Sequence, residues 1–160
     1  VQRAILTPFE SSVYGEVLHM LFEFNKAWSG GSCFARAGYL LQRSPDTLRT
    51  PHASAILNGN LNRLKNLRSI PDFAPDLAVE VLCSRDTFED TERRAMEYLD
   101  SGTSFVWIVN PYQQSVHVYS EGGREVQRLG SGDTLSGGTF LLGFSVGVSE
   151  LFPEPLPGRH

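Results

Sequence analysis

Cysteine is scarce: Cys33 and Cys83 are the only two in 160 residues. They fall outside any zinc-binding spacing and make no disulfide framework, so a reducing, cytoplasmic compartment is the simpler expectation. Long hydrophobic runs are missing as well. No stretch approaches the ~20 apolar residues of a membrane helix, and no charged-then-apolar signal segment opens the chain. An initiator Met is absent, which points to trimming or processing ahead of Val1. No one sign of charge dominates: 14 Lys and Arg stand against 18 Asp and Glu, a formal net charge of -4. Non-specific attraction to nucleic acid over the whole surface is therefore not expected, although a local basic face is allowed. One local absence bears on that point. Between Asp46 and Asp72 the chain has no acidic residue at all.

What is present describes a soluble globular protein, with 41% hydrophobic and 20% charged residues. The length suits one domain with one sizeable core, here residues 1–160. The central stretch is Pro75-Asp76-Leu77-Ala78-Val79-Glu80-Val81-Leu82, a tight aliphatic run that reads as a buried strand. Alternation puts Leu77, Val79 and Val81 on one face, and Asp76, Ala78, Glu80 and Leu82 on the other. Glu80 is the anomaly. A carboxylate inside such a strand costs several kcal/mol unless a cation or hydrogen bonds satisfy it. It is either a glutamate paired to a nearby arginine, or a metal ligand or catalytic carboxylate.

The rest of the chain builds around that strand. Helical spacing predicts a helix from Ser11 to Trp28, capped by Ser11 or Ser12, with His19 as surface decoration. Cys33 to Gln42 and Pro51 to Leu57 read as strands. Leu61 to Arg68 is a short amphipathic or loop segment carrying Arg63, Lys65 and Arg68, either a solvated basic loop or a patch for phosphate. Asp86 and Glu89 form a capping box for a helix running to about Ser101, closed by Gly102. Phe105 to Val109 reads as a strand covered on both faces. Ser115 to Tyr119 and Glu125 to Arg128 form a hairpin, with His117 on its exposed side. The tail from Pro153 to His160 reads as loose. The order predicts an α/β protein, a mixed sheet flanked by helices.

Several blocks resemble the Uma family of "putative restriction endonucleases", within the PD-(D/E)xK nuclease superfamily. They are Pro75 to Leu82, Tyr98 with Gly102, and Trp107-Ile108-Val109-Asn110-Pro111. Gly132-Asp133-Thr134-Leu135, Leu142-Gly143-Phe144-Ser145 and Glu150-Leu151-Phe152 follow in the right order. The resemblance runs from about Ser11 to Phe152. It implies a restriction-endonuclease-like core, DNA as partner, and a divalent metal, Mg or Mn, held by two acids with a lysine nearby. It implies that Glu80 is the second acid. The first acid would follow Pro51, where His52 stands; the lysine would lie four residues before Tyr98, where Arg94 stands.

Those two departures have physical consequences. Asp76 cannot replace the missing acid, because four residues along a strand is about 13 Å. Magnesium prefers oxygen ligands, so His52 beside Glu80 shifts preference toward manganese, zinc or similar ions. Arg94 can hold a phosphate, but it cannot deprotonate a water. The resemblance thus yields two expectations. One is a metal-dependent endonuclease with Glu80, His52 and Arg94 as catalytic residues, Glu80 and His52 as metal ligands, and Arg63, Lys65 and Arg68 on nucleic acid. The other is an inert polar cluster on a nuclease scaffold that serves in binding or assembly. The edge strands of such a sheet leave a homodimer open.

Overall fold

The first helix starts one turn earlier than the serines suggest. In the computed structural model, which describes residues 5–154, α1 spans Pro8–Ala27. The Thr7 hydroxyl accepts the Glu10 N–H and the Glu10 carboxylate accepts the Thr7 N–H. This reciprocal box satisfies two otherwise orphaned donors, which neither Ser11 nor Ser12 does. Val13, Val17 and Leu21 form its buried stripe. His19 is exposed, as its sequence setting predicts.

The expected strand from Cys33 to Gln42 is two strands. β1 (Gly31–Ala35) ends at Arg36, whose φ of 55° breaks the extended run. β2 (Tyr39–Gln42) then pairs with β3 (Thr47–Arg49) as a separate hairpin. β4 (Ala53–Leu57) is followed by a single helical turn, α2 (Asn58–Leu61). β5 is Leu77–Val81 and α3 is Phe88–Asp100. β6 (Phe105–Asn110), β7 (Ser115–Ser120) and β8 (Glu125–Leu129) complete the main sheet, and β9 (Thr134–Ser136) pairs with β10 (Ser145–Gly147) beside it.

The main sheet runs β1-β4-β5-β6-β7-β8. Only β5 and β6 are parallel, joined by the α3 crossover; the other neighbours are antiparallel. The fold is thus α/β, a mixed sheet flanked by helices. The β5 alternation divides the core. Leu77, Val79 and Val81 pack with α1 and the C-terminal elements. Ala78 packs with Ala95, Tyr98 and Leu99 of α3. At the other edge, Gly31 allows β1 to close on β4, since a Cβ there would sit 2.3 Å from the Ile56 carbonyl oxygen.

Two further expectations need correction. Thr87 and Asp90, not Asp86 and Glu89, form the α3 capping box. Asp86 is already engaged by the Arg94 guanidinium at 2.6 Å. His117 is half-buried rather than exposed. The α3 side of the sheet covers it, its ring lies 4.9 Å from that of Phe88, and its Nδ1 is buried without a partner among the described residues. Burial, helped by Arg128, pushes its pKa down despite Glu92. Residues 155–160 of the tail lie outside the described residues.

Candidate active site

The antiparallel pairing of β4 with β5 sets Ala53 against Val79. Continuing that register by one residue brings His52 opposite Glu80. Glu80 is 3% exposed and points to the α3 side. His52 Nδ1 lies 3.1 Å from Glu80 Oε2. The Tyr98 hydroxyl donates to Glu80 Oε1 at 3.2 Å, and Arg94 Nε stands 3.8 Å from the same oxygen. The sequence thus places a carboxylate, an imidazole and a guanidinium together, from two strands and the following helix.

Each partner is itself held. Arg94 Nη2 donates to Asp86 Oδ2 at 2.6 Å. Burial works against the Arg94 charge, but Glu80 and Asp86 outweigh it and raise its pKa. Burial, then the Glu80 charge, push the Tyr98 pKa well up, so its hydroxyl stays a donor. His52 Nδ1 also lies 3.1 Å from the Val81 N–H, which has no β4 partner beyond the end of the ladder. One ring nitrogen cannot accept from Val81 and donate to Glu80 at once. The Tyr14 hydroxyl donates to the His52 carbonyl at 2.7 Å, and its ring meets the imidazole edge-on at 5.3 Å. Above this, Arg49 grips Glu97 with two hydrogen bonds, at 2.6 and 3.0 Å, tying β3 to α3.

Asp76 and the basic segment lie elsewhere. Asp76 accepts the Leu57 N–H at 2.7 Å and the Asn60 amide at 2.8 Å, and so braces the turn after β4. Arg63, Lys65 and Arg68 follow that turn. The chain enters their segment past Leu57, the end of β4 about 16 Å from His52 along five extended residues. Arg63 lies 4.5 Å over the Phe73 ring and donates to Asn60. A cleft of about 510 Å³ on the opposite sheet face, lined by Phe105, Trp107 and Phe140 among others, contains none of these residues.

The sequence reading missed the supporting partners. Tyr98 was legible as a buried helix residue one turn past Arg94, which is the signal that sets both over β5. Asp86 looked like a cap, and nothing in the sequence marks Arg49 as the partner of Glu97.

The donor set bears on a metal. Among the described residues, no group of three or more His, Cys, Asp and Glu is placed to hold one. Glu80 Oε2 and His52 Nδ1 alone are 3.1 Å apart. Two ligands at right angles around an ion with bonds of about 2.1 Å would be separated by about 3.0 Å, so this pair fits an ion that keeps several waters. Binding would require Nδ1 to release the Val81 N–H.

A search of curated proteins finds no match. Among solved structures, the fold is similar to that of a "putative nuclease belonging to DUF820" from Anabaena variabilis ATCC 29413. The TM-score is 0.82 at 18% identity, covering 95% of this chain and 84% of that one. The sequence model of the Uma2 family, described as "Putative restriction endonuclease", matches residues 4–149. Since that match takes in nearly all of the chain, the protein belongs to the Uma2 family.

Proposed function

We propose that the protein is an endonuclease that hydrolyses DNA phosphodiester bonds at the Glu80 pocket. The observation that carries this reading is a buried carboxylate met by an imidazole from the residue just before β4 and a guanidinium from α3. Glu80 and His52 would hold a divalent ion, magnesium or manganese. When bound, such an ion supplies Lewis-acid polarisation and a more acidic water.

The chain's own groups do the rest. Tyr98 fixes the rotamer of Glu80 through its hydroxyl. Tyr14 and the β4 backbone fix His52. Arg94 uses its remaining N–H groups to stabilise charge that builds on the scissile phosphate, where a preoriented donor contributes most. Asp86 holds that guanidinium in place. Since arginine does not give up a proton near neutral pH, Arg94 binds and orients but does not act as a base.

Supercoiled plasmid incubated with magnesium or manganese tests the reading. Nicking by the native chain and its loss in Glu80→Ala is the expected result. Absence of metal-dependent nicking, or equal nicking by the variant, overturns it.

One observation favours a second reading, a non-catalytic protein that keeps the fold for binding or assembly. Glu80 Oε1 already accepts from Tyr98 and Oε2 lies 3.1 Å from His52 Nδ1, and the expected Asp and Lys are replaced by His52 and Arg94. Calorimetric titration with divalent ions separates the two. Binding that depends on Glu80 argues for the nuclease, and its absence argues for the scaffold. No helix of the described residues is long and apolar enough to cross a membrane. Our reading keeps a reducing, cytoplasmic setting, with a homodimer through a sheet edge, β1 or β8, as its assembly.

A further inference from the structure

We propose that the DNA backbone is gripped at the mouth of the Glu80 pocket by Arg36 and Arg85, and not by Arg63, Lys65 and Arg68. This rests on the nuclease reading above and names the groups that would hold its substrate.

The argument begins with topology. The end of β1, the start of β4 and the end of β5 lie along one margin of the sheet. His52 and Glu80 are at that margin. Arg36 is the first residue after β1, and its backbone N–H donates to the His52 carbonyl at 3.2 Å. Its guanidinium lies 5.8 Å from the centre of the Tyr14 ring, the ring that meets the His52 imidazole. Arg36 is therefore held one aromatic ring away from the candidate site. Arg85 lies in the loop that leaves β5. Its neighbours are pinned: the Ser84 N–H by the Glu10 carboxylate at 2.7 Å, and Asp86 by Arg94. Its backbone is thus held from both sides, and its side chain is exposed.

Both arginines are exposed. Neither forms an ion pair among the described residues, where the carboxylates nearest the pocket are already used: Glu80 by His52 and Arg94, Asp86 by Arg94, Glu10 by backbone N–H groups and Tyr112. An unpaired exposed guanidinium beside a phosphate-handling pocket is suited to a phosphate oxygen pair. Duplex DNA offers one negative charge per about 1.7 Å of axis, so a backbone with one phosphate at Arg94 presents others to the flanking cations. The chain enters the segment from Arg63 to Arg68 at the far end of β4, and Arg63 is already stacked on Phe73 and bonded to Asn60.

The test measures binding of a short duplex by fluorescence anisotropy over a range of salt, without divalent ion, so that it does not depend on cleavage. Three proteins are compared: the native chain, Arg36→Gln/Arg85→Gln, and Arg63→Gln/Lys65→Gln/Arg68→Gln. Thermal unfolding confirms that all three are folded. We expect the double variant to bind several-fold more weakly, with the slope of log K against log salt shallower by roughly one unit per arginine. The triple variant should match the native chain. Loss confined to the triple variant, or equal loss in both, overturns the proposal while the nuclease reading stands. A native chain that neither binds nor cuts duplex overturns both.

Discussion

The Tyr98 hydroxyl donates to Glu80 Oε1 at 3.2 Å, across the interface between α3 and β5. Both groups are buried, with Tyr98 0% and Glu80 3% exposed. A buried carboxylate keeps its charge only if donors replace the water it has lost. Tyr98 is one of very few such donors here. Tyr98→Phe keeps the ring in place and removes only that donor. It should cost about 1.5 kcal/mol, the low end for a hydrogen bond to a charged group, because the bond is long. Urea unfolding at neutral pH, with an unchanged slope, is the measurement. A loss under about 0.5 kcal/mol would mean that His52 and Arg94 suffice to hold Glu80.

Changing Glu80 itself separates charge from packing. Glu80→Gln retains the size and one acceptor, so the fold should survive while any metal-dependent nicking disappears. Glu80→Leu leaves the Tyr98 hydroxyl without its acceptor and the Arg94 guanidinium with one carboxylate instead of two, and should destabilise by about 1–3 kcal/mol more than the glutamine. Plasmid nicking and urea midpoints read the two effects independently. Equal stability of the two variants would show that water reaches the site and replaces the lost partner.

The unevenness of what the sequence revealed has a physical basis. Glu80 stood out because alternation along β5 has no tolerance for a charge, so one residue out of pattern is visible locally. His52 and Arg94 became candidates through resemblance, and the register of β4 on β5 brings the first to Glu80. The break at Arg36 could not be read, since nothing local in the sequence forces a positive φ at an arginine. The Arg49–Glu97 pair joins residues 48 positions apart, and pairing at that range is set by tertiary packing. The α1 cap lies a full turn before the serines and the α3 cap one residue after Asp86: serine and aspartate are plausible caps, but Thr7 with Glu10 and Thr87 with Asp90 complete reciprocal boxes.

Glu10 gives the chain an acid limit. It is fully buried at the start of α1. Burial pushes its pKa up, but the Thr7 N–H, the Tyr112 hydroxyl and the Ser84 N–H outweigh it and hold the carboxyl below its ordinary 4.5. A folded pKa below the unfolded one contributes stability that is present above the ordinary value and lost as pH falls through the folded value. Stability should therefore decline as pH drops below about 4.5. Glu10→Gln should be less stable at neutral pH and show a shallower decline. Urea midpoints for both proteins at neutral and at acid pH check this, and parallel curves would refute it.

Rebuilding the two departed positions tests the history of the site through stability as well as activity. His52→Asp with Arg94→Lys places a second carboxylate beside Glu80, where Nδ1 now lies 3.1 Å away. Two carboxylates at that separation repel, so without an ion one of them must bind a proton or the pair must move apart. The double variant should unfold at a lower temperature than the native chain in chelator. A divalent ion binds the folded state and not the unfolded one, so magnesium or manganese should raise its melting temperature, increasingly with concentration. The native chain, with one carboxylate and an imidazole already tied to Val81, should show a smaller rise, and a smaller one with magnesium than with manganese. Plasmid nicking by the double variant should exceed that of the native chain under the same ions. A melting temperature that magnesium leaves unmoved in the double variant would mean that the margin between β4 and β5 cannot seat an ion at all, and the nuclease reading would lose its chemical basis.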